Sequence, residues 1–232
     1  IESSAGYGFI VSDYCSNAAN TTSGSYAPGQ KIAFAYRKSV ITNPTARGLL
    51  KSSTAANSNW ASGRVPFLLQ ADVVNGTATK KMNFILLHGK SGSTASDHLR
   101  RKDGAKELKD TLDASFNAAN IIILGDYNDD LDSTISEGVN PALSSYDDIV
   151  KDSTDADRYK AVSMILSNTG HNSMIGYNDF IDHVIISNEL EADYINGSVR
   201  LIREVNDWIA NYATTTADHI PVLSRYLLPS SG

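Results

Sequence analysis

The chain has 232 residues and a formal net charge of −6 at pH 7, since 26 acidic residues outnumber 20 lysines and arginines. This length suits one large domain, and no composition break divides the sequence, so we expect a single domain over residues 1–232. The acidic balance argues against broad, sequence-independent clamping on nucleic acid, which depends on many lysine and arginine contacts to phosphates. The longest apolar runs have about five residues against the roughly 20 that a membrane-spanning helix needs, so we expect no membrane span.

The single cysteine and the polar composition bear on where the protein works. Cys15 has no second cysteine to pair with, and we expect it to be a small core or loop residue. Serine, threonine and asparagine are abundant, which is typical of secreted or periplasmic bacterial proteins, although cytosolic enzymes share this composition. We therefore expect an exported protein.

Polar loops and buried strands alternate along the chain. Tracts rich in serine, threonine, asparagine and glycine occupy residues 15–29, 51–63 and 91–97. We expect these loops to build a substrate groove at the rim of a sheet. Residues 83–87 and 120–124 are nearly continuous β-branched and leucine runs, which predicts strands covered on both faces.

An amphipathic helix is expected between these two strands, over residues 99–116. Its charged side chains avoid one face, on which apolar side chains recur at helical spacing. The apolar positions are Leu99, Ala105, Leu108, Leu112 and Phe116.

Each of four apolar runs meets a histidine or an acid at one end. The first two runs end at these polar residues, whereas the apolar runs at 184–186 and 222–223 follow them. The strand-end residues are His88, Gly125-Asp126, Asp182-His183 and Asp218-His219. Their recurrence predicts one convergent cleft rather than scattered surface charge.

These positions also have purely structural explanations. Asp126 suits a turn in which its carboxylate caps backbone amides, and Asp218 suits a cap or a rim pair. Asp182 suits a local contact with His183, which we expect to pack or to lie at the rim. The default for Asp129 and Asp130 is a solvated loop or a cap on the next segment.

Basic side chains cluster at Arg37-Lys38, Lys80-Lys81 and Arg100-Arg101-Lys102. These clusters are candidates for local contacts to phosphate. Solvated turn and helix charges are the commoner role for such runs.

Four motifs together resemble the endonuclease/exonuclease/phosphatase superfamily, which has the DNase I-like fold. The motifs are Leu86-Leu87-His88, Gly125-Asp126-Tyr127-Asn128, Ile181-Asp182-His183-Val184-Ile185-Ile186-Ser187 and Ala217-Asp218-His219-Ile220-Pro221-Val222. Their order and spacing match the family over residues 29–226, and residues 30–38 and Arg64-Val65-Pro66-Phe67 resemble two of its supporting strands. The resemblance implies an α/β fold, a four-layer sandwich of two packed mixed β-sheets flanked by helices, with the site at one edge.

The resemblance also implies roles for individual residues. His219 matches a catalytic histidine and Asp182 its carboxylate partner, which raises the pKa of a histidine above its usual value of about 6.5. Asp126 and Asn128 match residues that orient the attacking water and bind phosphate or metal. His88 matches a second histidine that contacts phosphate.

The implied cofactor is Mg²⁺ or Mn²⁺, held by hard carboxylate oxygens. Asp218 matches a metal-binding aspartate, and Glu2 is a candidate for the principal metal ligand, a role that a residue upstream of Ile1 fills equally well. The family's first strand, which ends in an asparagine, has no counterpart in the sequence. We therefore expect an N-terminally incomplete domain that lacks its first strand, binds metal weakly, has low activity and exposes a sheet edge that favours self-association.

The motifs leave several functions open. A metal-dependent phosphoesterase that hydrolyses phosphodiester bonds, most plainly a nuclease with nucleic acid as its partner, is favoured because the sequence shows neither an apolar membrane hairpin nor a lysine-rich phosphoinositide pocket. The alternatives are a phosphomonoesterase acting on a small or inositol phosphate, and a non-catalytic binding module on the same fold.

Overall fold

The computed structural model of the protein describes residues 6–152 and 154–228, which form an α/β fold. Strands β1 to β10 span Tyr7–Val11, Ala33–Arg37, Ile41–Gly48, Phe67–Asn75, Ala78–His88, Ile121–Asp126, Tyr159–Ala161, Asp182–Ser187, Arg200–Leu201 and Val222–Leu223. Helices α1 to α6 span Thr54–Asn59, Ala95–Ser115, Asp147–Val150, Met164–Asn168, Val205–Trp208 and Tyr212–Thr215. Within the described ranges, no helix is both long and apolar enough to cross a membrane.

A mixed sheet in the order β3-β4-β5-β6-β8-β7 forms the centre of the described structure. Strands β5 and β6 are parallel, because α2 carries the chain from the end of one back to the start of the other. The other neighbours in this sheet pair antiparallel. The two apolar runs predicted to be strands therefore lie side by side at its centre, as their burial on both faces requires.

The two faces of the central sheet are covered differently. Ile85 and Ile123 point to the face on which α2 packs, and they share a buried cluster with Leu108 and Leu112. Alternate residues point to the other face, where Phe67 meets Phe34 of β2 with ring centroids 5.6 Å apart. The central sheet is therefore covered by a helix on one face and by further strands on the other. The ends of its strands are left at the rim of the sheet.

The second strand layer is made of two short antiparallel pairs in the described part of the chain. One pair is β1-β2, and the other is β9-β10, whose Val222 packs beside the cluster that holds Val184 and Ile186 of β8. The resemblance implied a second mixed sheet at this position. The structure contains this second layer of strands, but its two strand pairs are not hydrogen-bonded to each other. Leu124 of the central sheet borders two cavities, one of which is also lined by Val222 of β10 and the other by Phe34 of β2.

Helix α2 begins earlier than its apolar pattern predicts. Thr94 and Asp97 form a capping box, which satisfies free amides of the first turn and starts the helix at Ala95. The prediction that Leu99 lies on the buried face is wrong, because Leu99 is 56% exposed while Arg101 is buried. The buried stripe runs through Arg101, Ala105, Leu108 and Leu112 at spacings of three and four, and Leu99 lies off it.

Replacing Leu108 by alanine tests this packing. Because Leu108 is fully buried under the central sheet, Leu108→Ala should lower the free energy of unfolding by about 2–5 kcal/mol. Leu99→Ala on the same helix is the matched control and should change it by less than about 0.5 kcal/mol. Urea unfolding followed by circular dichroism measures both, and equal losses would contradict the assignment of faces.

Candidate active site

Three of the candidate residues form a single row across the central sheet. The pairing of β5 with β6 sets His88 opposite Asp126, and the pairing of β6 with β8 sets Asp126 opposite Asp182. Neighbouring strands in a sheet lie about 4.8 Å apart, so residues paired in register are held side by side. The end of β5, the end of β6 and the start of β8 therefore meet at one edge.

A tight turn after β6 sets the direction of the Asp126 side chain. Gly125 has φ +138°, and a Cβ built on it would stand 2.1 Å from the carbonyl oxygen of Leu87, so only glycine fits there. Asn128 has a left-handed φ of 52°, and its backbone N–H donates to Asp126 Oδ1 over 2.7 Å. The structural explanation for Asp126 is thus correct, since the carboxylate caps the turn while it also lines a cavity.

His219 and Asp182 form the closest ion pair of the site. His219 Nδ1 donates to Asp182 Oδ2 over 2.7 Å, and this hydrogen bond is the largest cause that raises the pKa of His219 to about 9. The histidine is fixed from behind by a bridge between its backbone and Met174, and its carbonyl accepts a hydrogen bond of 2.9 Å from the Tyr212 hydroxyl. His219 therefore presents a charged imidazolium at neutral pH.

A cavity of about 470 Å³ brings His88, Asp126, Asn128 and His219 together. Asp182 borders an adjoining cavity of about 360 Å³, which shares His219 with the first. Burial and the nearby Asp182 carboxylate raise the pKa of Asp126, although His88 opposes the shift. The cavity thus combines an imidazolium with a carboxylate that is more basic than usual.

Arg64 is a site residue that the sequence analysis treated only as part of a supporting strand. It is 7% exposed and lines the same cavity, with Nη2 3.2 Å from Nδ1 of His88. Burial lowers the pKa of its guanidinium, and Asp126 opposes that shift. The motif around Arg64 matched the family, but no periodicity in the sequence shows that its side chain turns toward His88.

Of the two roles expected for Asp129 and Asp130, the solvated loop is wrong and the cap on the next segment is correct, since Asp130 Oδ1 accepts from the amide of Leu131 over 2.7 Å. Asp129 is fully buried and accepts hydrogen bonds from the amides of Ile135 and Ser145 over 2.8 and 2.9 Å. Asp130 accepts from the amide of Phe180 over 3.1 Å, two residues before Asp182, and burial raises its pKa to about 6. Both carboxylates hold the loops that border the cavity.

Arg101 has neither of the roles considered for the basic cluster at 100–102. Its side chain is buried on α2, where Nη1 donates to the carbonyl oxygens of Lys90 and Gly92 over 2.8 and 2.7 Å. Nε lies 3.6 Å from Oδ2 of Asp129. Arg101 therefore joins the loop after β5 to the loop after β6.

His183 is a packing residue, which is one of the two roles expected from the sequence. Its ring is buried against Tyr127 and Phe180, and Nδ1 lies 3.1 Å from the hydroxyl of Ser163. Burial lowers the pKa of His183 to about 3, so it stays neutral. His183 and His219, the histidines of the last two motifs, thus differ in charge because His183 is buried and His219 is paired with an acid.

The described residues do not complete a metal site. Residues 6–152 and 154–228 contain no group of three or more His, Cys, Asp or Glu placed to hold an ion. Asp218 is exposed and does not border the cavity, although its backbone carbonyl accepts from Ile175 over 2.7 Å. Glu2 lies outside the described residues, so both metal ligands stay predictions.

No family model and no curated protein matches the chain. Solved structures do. An AP endonuclease from Archaeoglobus fulgidus aligns with a TM-score of 0.60 at 12% identity, over 95% of this chain and 79% of that one. An endonuclease/exonuclease/phosphatase from Bacteroides vulgatus aligns with a TM-score of 0.58 at 15% identity, over 97% and 77%.

A third structure, a mannosyl-6-phosphatase from Bacteroides thetaiotaomicron, aligns with a TM-score of 0.51 at 14% identity, over 96% and 78% of the two chains. At these identities the likeness concerns the fold. The DNase I-like fold implied by the sequence motifs is confirmed.

The charge on His219 depends on Asp182, and a substitution tests this. Asp182→Asn should lower the pKa of His219 from about 9 toward 6.5, because the main cause of the shift is the hydrogen bond to that carboxylate. The folded-state pKa is the raised one. The contact therefore contributes stability that is fully present below about pH 6.5 and is lost as the pH rises through about 9.

Histidine NMR titration of the two proteins measures this shift. Asp218→Asn is the matched control, because Asp218 acts on His219 only through the weak attraction of its charge and its removal should produce a much smaller change. An unchanged His219 titration in Asp182→Asn would contradict the pairing.

Proposed function

We propose that the protein is a phosphoesterase that hydrolyses phosphodiester bonds, and specifically a nuclease. The observation that carries this proposal is the row His88, Asp126 and Asp182, with the His219 to Asp182 hydrogen bond of 2.7 Å at its end. A cavity at a strand-end edge that combines a charged imidazolium, a guanidinium and a carboxylate of raised pKa matches the needs of phosphate chemistry. The fold, shared with an AP endonuclease, is consistent with it.

The residues divide the work of hydrolysis between them. Asp126, which Asn128 orients, takes the proton from the attacking water as its oxygen bonds to phosphorus. Arg64 and His88 lie together at the cavity wall, where their nitrogens donate to the non-bridging phosphate oxygens. The P–O ester bond then breaks, and the His219 imidazolium gives its Nε2 proton to the leaving oxygen.

Asp182 acts through His219 in this scheme. It accepts the Nδ1 hydrogen bond, which leaves Nε2 as the nitrogen that serves the substrate, and it stabilises the charged ring. This arrangement orients the acid and raises its pKa at the same time.

Two other functions stay open beside the nuclease. A protein with this fold is named a mannosyl-6-phosphatase, so the fold itself is compatible with monoester substrates. A non-catalytic binding module would keep the same cavity without turnover. Cleavage of diester against monoester substrates separates the first, and the absence of any turnover identifies the second.

We further propose Mg²⁺ or Mn²⁺ as the cofactor, with Asp218 and Glu2 as its predicted ligands. A bound divalent ion would supply positive charge to the phosphate oxygens, which the net charge of −6 makes valuable. Because the described residues form no complete ligand group, the steps above are assigned to protein side chains alone. Export to the periplasm or medium likewise stays a prediction from composition.

His219→Ala should abolish most of the nuclease activity. Loss of a positioned general acid typically costs about 10²–10⁴-fold in rate, and a nucleotide alkoxide leaving group needs that proton. Plasmid nicking and cleavage of a single-stranded oligonucleotide measure kcat/KM. His171→Ala, which removes an exposed histidine outside the cavity, is the matched control and should keep wild-type activity.

Three outcomes of this experiment are informative. Full activity in His219→Ala contradicts the mechanism, and cleavage of 4-nitrophenyl phosphate in preference to diesters favours the monoesterase. An inactive wild-type protein, with folding confirmed by circular dichroism, favours the binding module.

Removal of divalent ions tests the proposed cofactor. EDTA should abolish nicking and added Mg²⁺ or Mn²⁺ should restore it, with weak binding in calorimetry because the described chain lacks a three-ligand group. Glu2→Gln should require more metal for half-maximal activity, and Glu137→Gln, which changes an exposed glutamate, should not. Activity that is unaffected by EDTA would refute the cofactor.

A further inference from the structure

The side chains that line the cavity of the proposed active site are of two kinds. The charged wall carries Arg64, His88, Asp126 and His219, which the proposed mechanism uses. The second wall, which we call the apolar wall, is formed by Ile135, Met174, Tyr177 and Ile181. None of these four side chains has a role in the hydrolysis scheme, so the apolar wall calls for a different explanation.

Tyr177 is the exposed member of the apolar wall. It is 51% exposed, whereas the buried Tyr127 and Tyr146 both donate through their hydroxyls, Tyr146 to the carbonyl oxygen of Tyr127 over 2.8 Å. Among the described residues, the Tyr177 hydroxyl makes no hydrogen bond and its ring lies against no other aromatic ring, because the bonds made to Tyr177 involve its backbone. A large aromatic ring without a partner at the edge of a cavity is a surface for a ligand rather than part of the core.

The turn that carries Tyr177 is firmly held beside His219. The amide of Tyr177 donates to the carbonyl of Met174 over 3.2 Å, and Met174 bridges the backbone of His219. The side chain of Asn172 closes the turn by donating to the carbonyl oxygens of Met174 and Tyr177, over 3.2 and 2.8 Å. Arg203 in turn donates to the side-chain oxygen of Asn172 over 2.9 Å.

This anchoring matters for binding. A turn whose backbone is already held beside His219 needs no rearrangement before a ligand stacks on the side chain that it carries. The position of the Tyr177 backbone relative to His219 is therefore set by the fold and not by the ligand.

The charges of the remaining lining residues indicate which part of a ligand the apolar wall can accept. Besides the apolar wall, the remaining lining includes Asp179 and Gln30, and the positively charged side chains among the lining residues are those already placed on the charged wall. A second phosphate beside Tyr177 would meet the carboxylate of Asp179 without a cation of its own. The apolar wall therefore suits the uncharged part of a substrate, not a polyphosphorylated ring.

We propose that Tyr177 is the stacking platform for the nucleobase next to the scissile phosphate, and that it makes the site selective for nucleotide diesters. This inference rests on the proposed function, since it takes the phosphate to lie at the charged wall. Every base has a π-face, so stacking selects for the presence of a base without reading its sequence.

A pair of ligands that differ only in their bases tests the proposal. One is a thymidine dinucleotide with a phosphorothioate link, which is slow to hydrolyse, and the other is its abasic counterpart with the same sugars and link. Calorimetry or NMR titration gives the ratio of their dissociation constants. We expect the base-containing ligand to bind about tenfold more tightly to the wild type and to Tyr177→Phe, since one stacked base contributes a factor of that order.

In Tyr177→Ala this ratio should fall close to one. Trp208→Ala is the matched control, because Trp208 is an aromatic residue with 68% exposure that does not line the cavity, and the ratio should persist there. A ratio near one in the wild type, or a tenfold ratio that survives in Tyr177→Ala, overturns the proposal. Substitution of an exposed side chain should leave folding intact, which thermal unfolding verifies.

The same proteins separate this proposal from the proposed function. Plasmid nicking reports hydrolysis, whereas the binding ratio reports stacking and needs no turnover. Plasmid nicking together with a ratio of dissociation constants near one would contradict the stacking platform and leave the hydrolase proposal intact. A tenfold ratio that depends on Tyr177, without any nicking, would support the stacking platform and contradict the proposed hydrolase activity.

Discussion

The register of three adjacent strands is the constraint on which the site depends. Because β5 and β6 are parallel and β8 runs against them, His88, Asp126 and Asp182 occupy one row at one edge. A slip of one residue in either pairing would turn a side chain of this row to the other face of the sheet. The row is therefore as stable as the sheet core, in which Ile85, Ile123 and Ile185 are fully buried.

A buried polar network extends this order from the strands to the loops. Arg101 and Asp129 are both fully buried, and each is bonded to loop backbone or to serine side chains as well as lying near the other. Loss of one partner would leave an uncompensated buried charge, which costs far more than an exposed ion pair gains. The loops after β5 and β6 line the cavity, so the network fixes part of the cavity surface from within the protein.

Sequence reasoning predicted the strands, the helix and the convergence of His88, Asp126, Asp182 and His219, because burial on both faces and polar strand ends are local patterns. Asp218, expected in the same cleft, is exposed and does not border the cavity. It missed features that depend on distant partners. Leu99 and Arg101 exchange their expected environments because the helix meets a polar loop at Arg101, and periodicity alone cannot show that meeting. Asp129 and Asp130 resemble solvated loop acids until the chain that returns at Ser145 and Phe180 supplies their donors.

Arg64 illustrates the same limit at the site itself. Its motif was visible, yet only the fold shows that the guanidinium turns to His88. Family motifs identify positions more readily than they identify the atoms that those positions present to one another.

The protonation states at the site follow from two different environments. Burial raises the pKa of Asp126, whereas a hydrogen bond to a carboxylate raises that of His219 to about 9. Above the pKa of Asp126 and below that of His219, the first group accepts a proton and the second donates one. Both forms that the proposed hydrolysis requires then coexist in the same pH range, and the range closes at high pH when the imidazolium loses its proton. An acidic protein can in this way present a local cation to the proposed phosphodiester substrate, because the carboxylate of Asp182 is paired with the His219 imidazolium and its charge is offset.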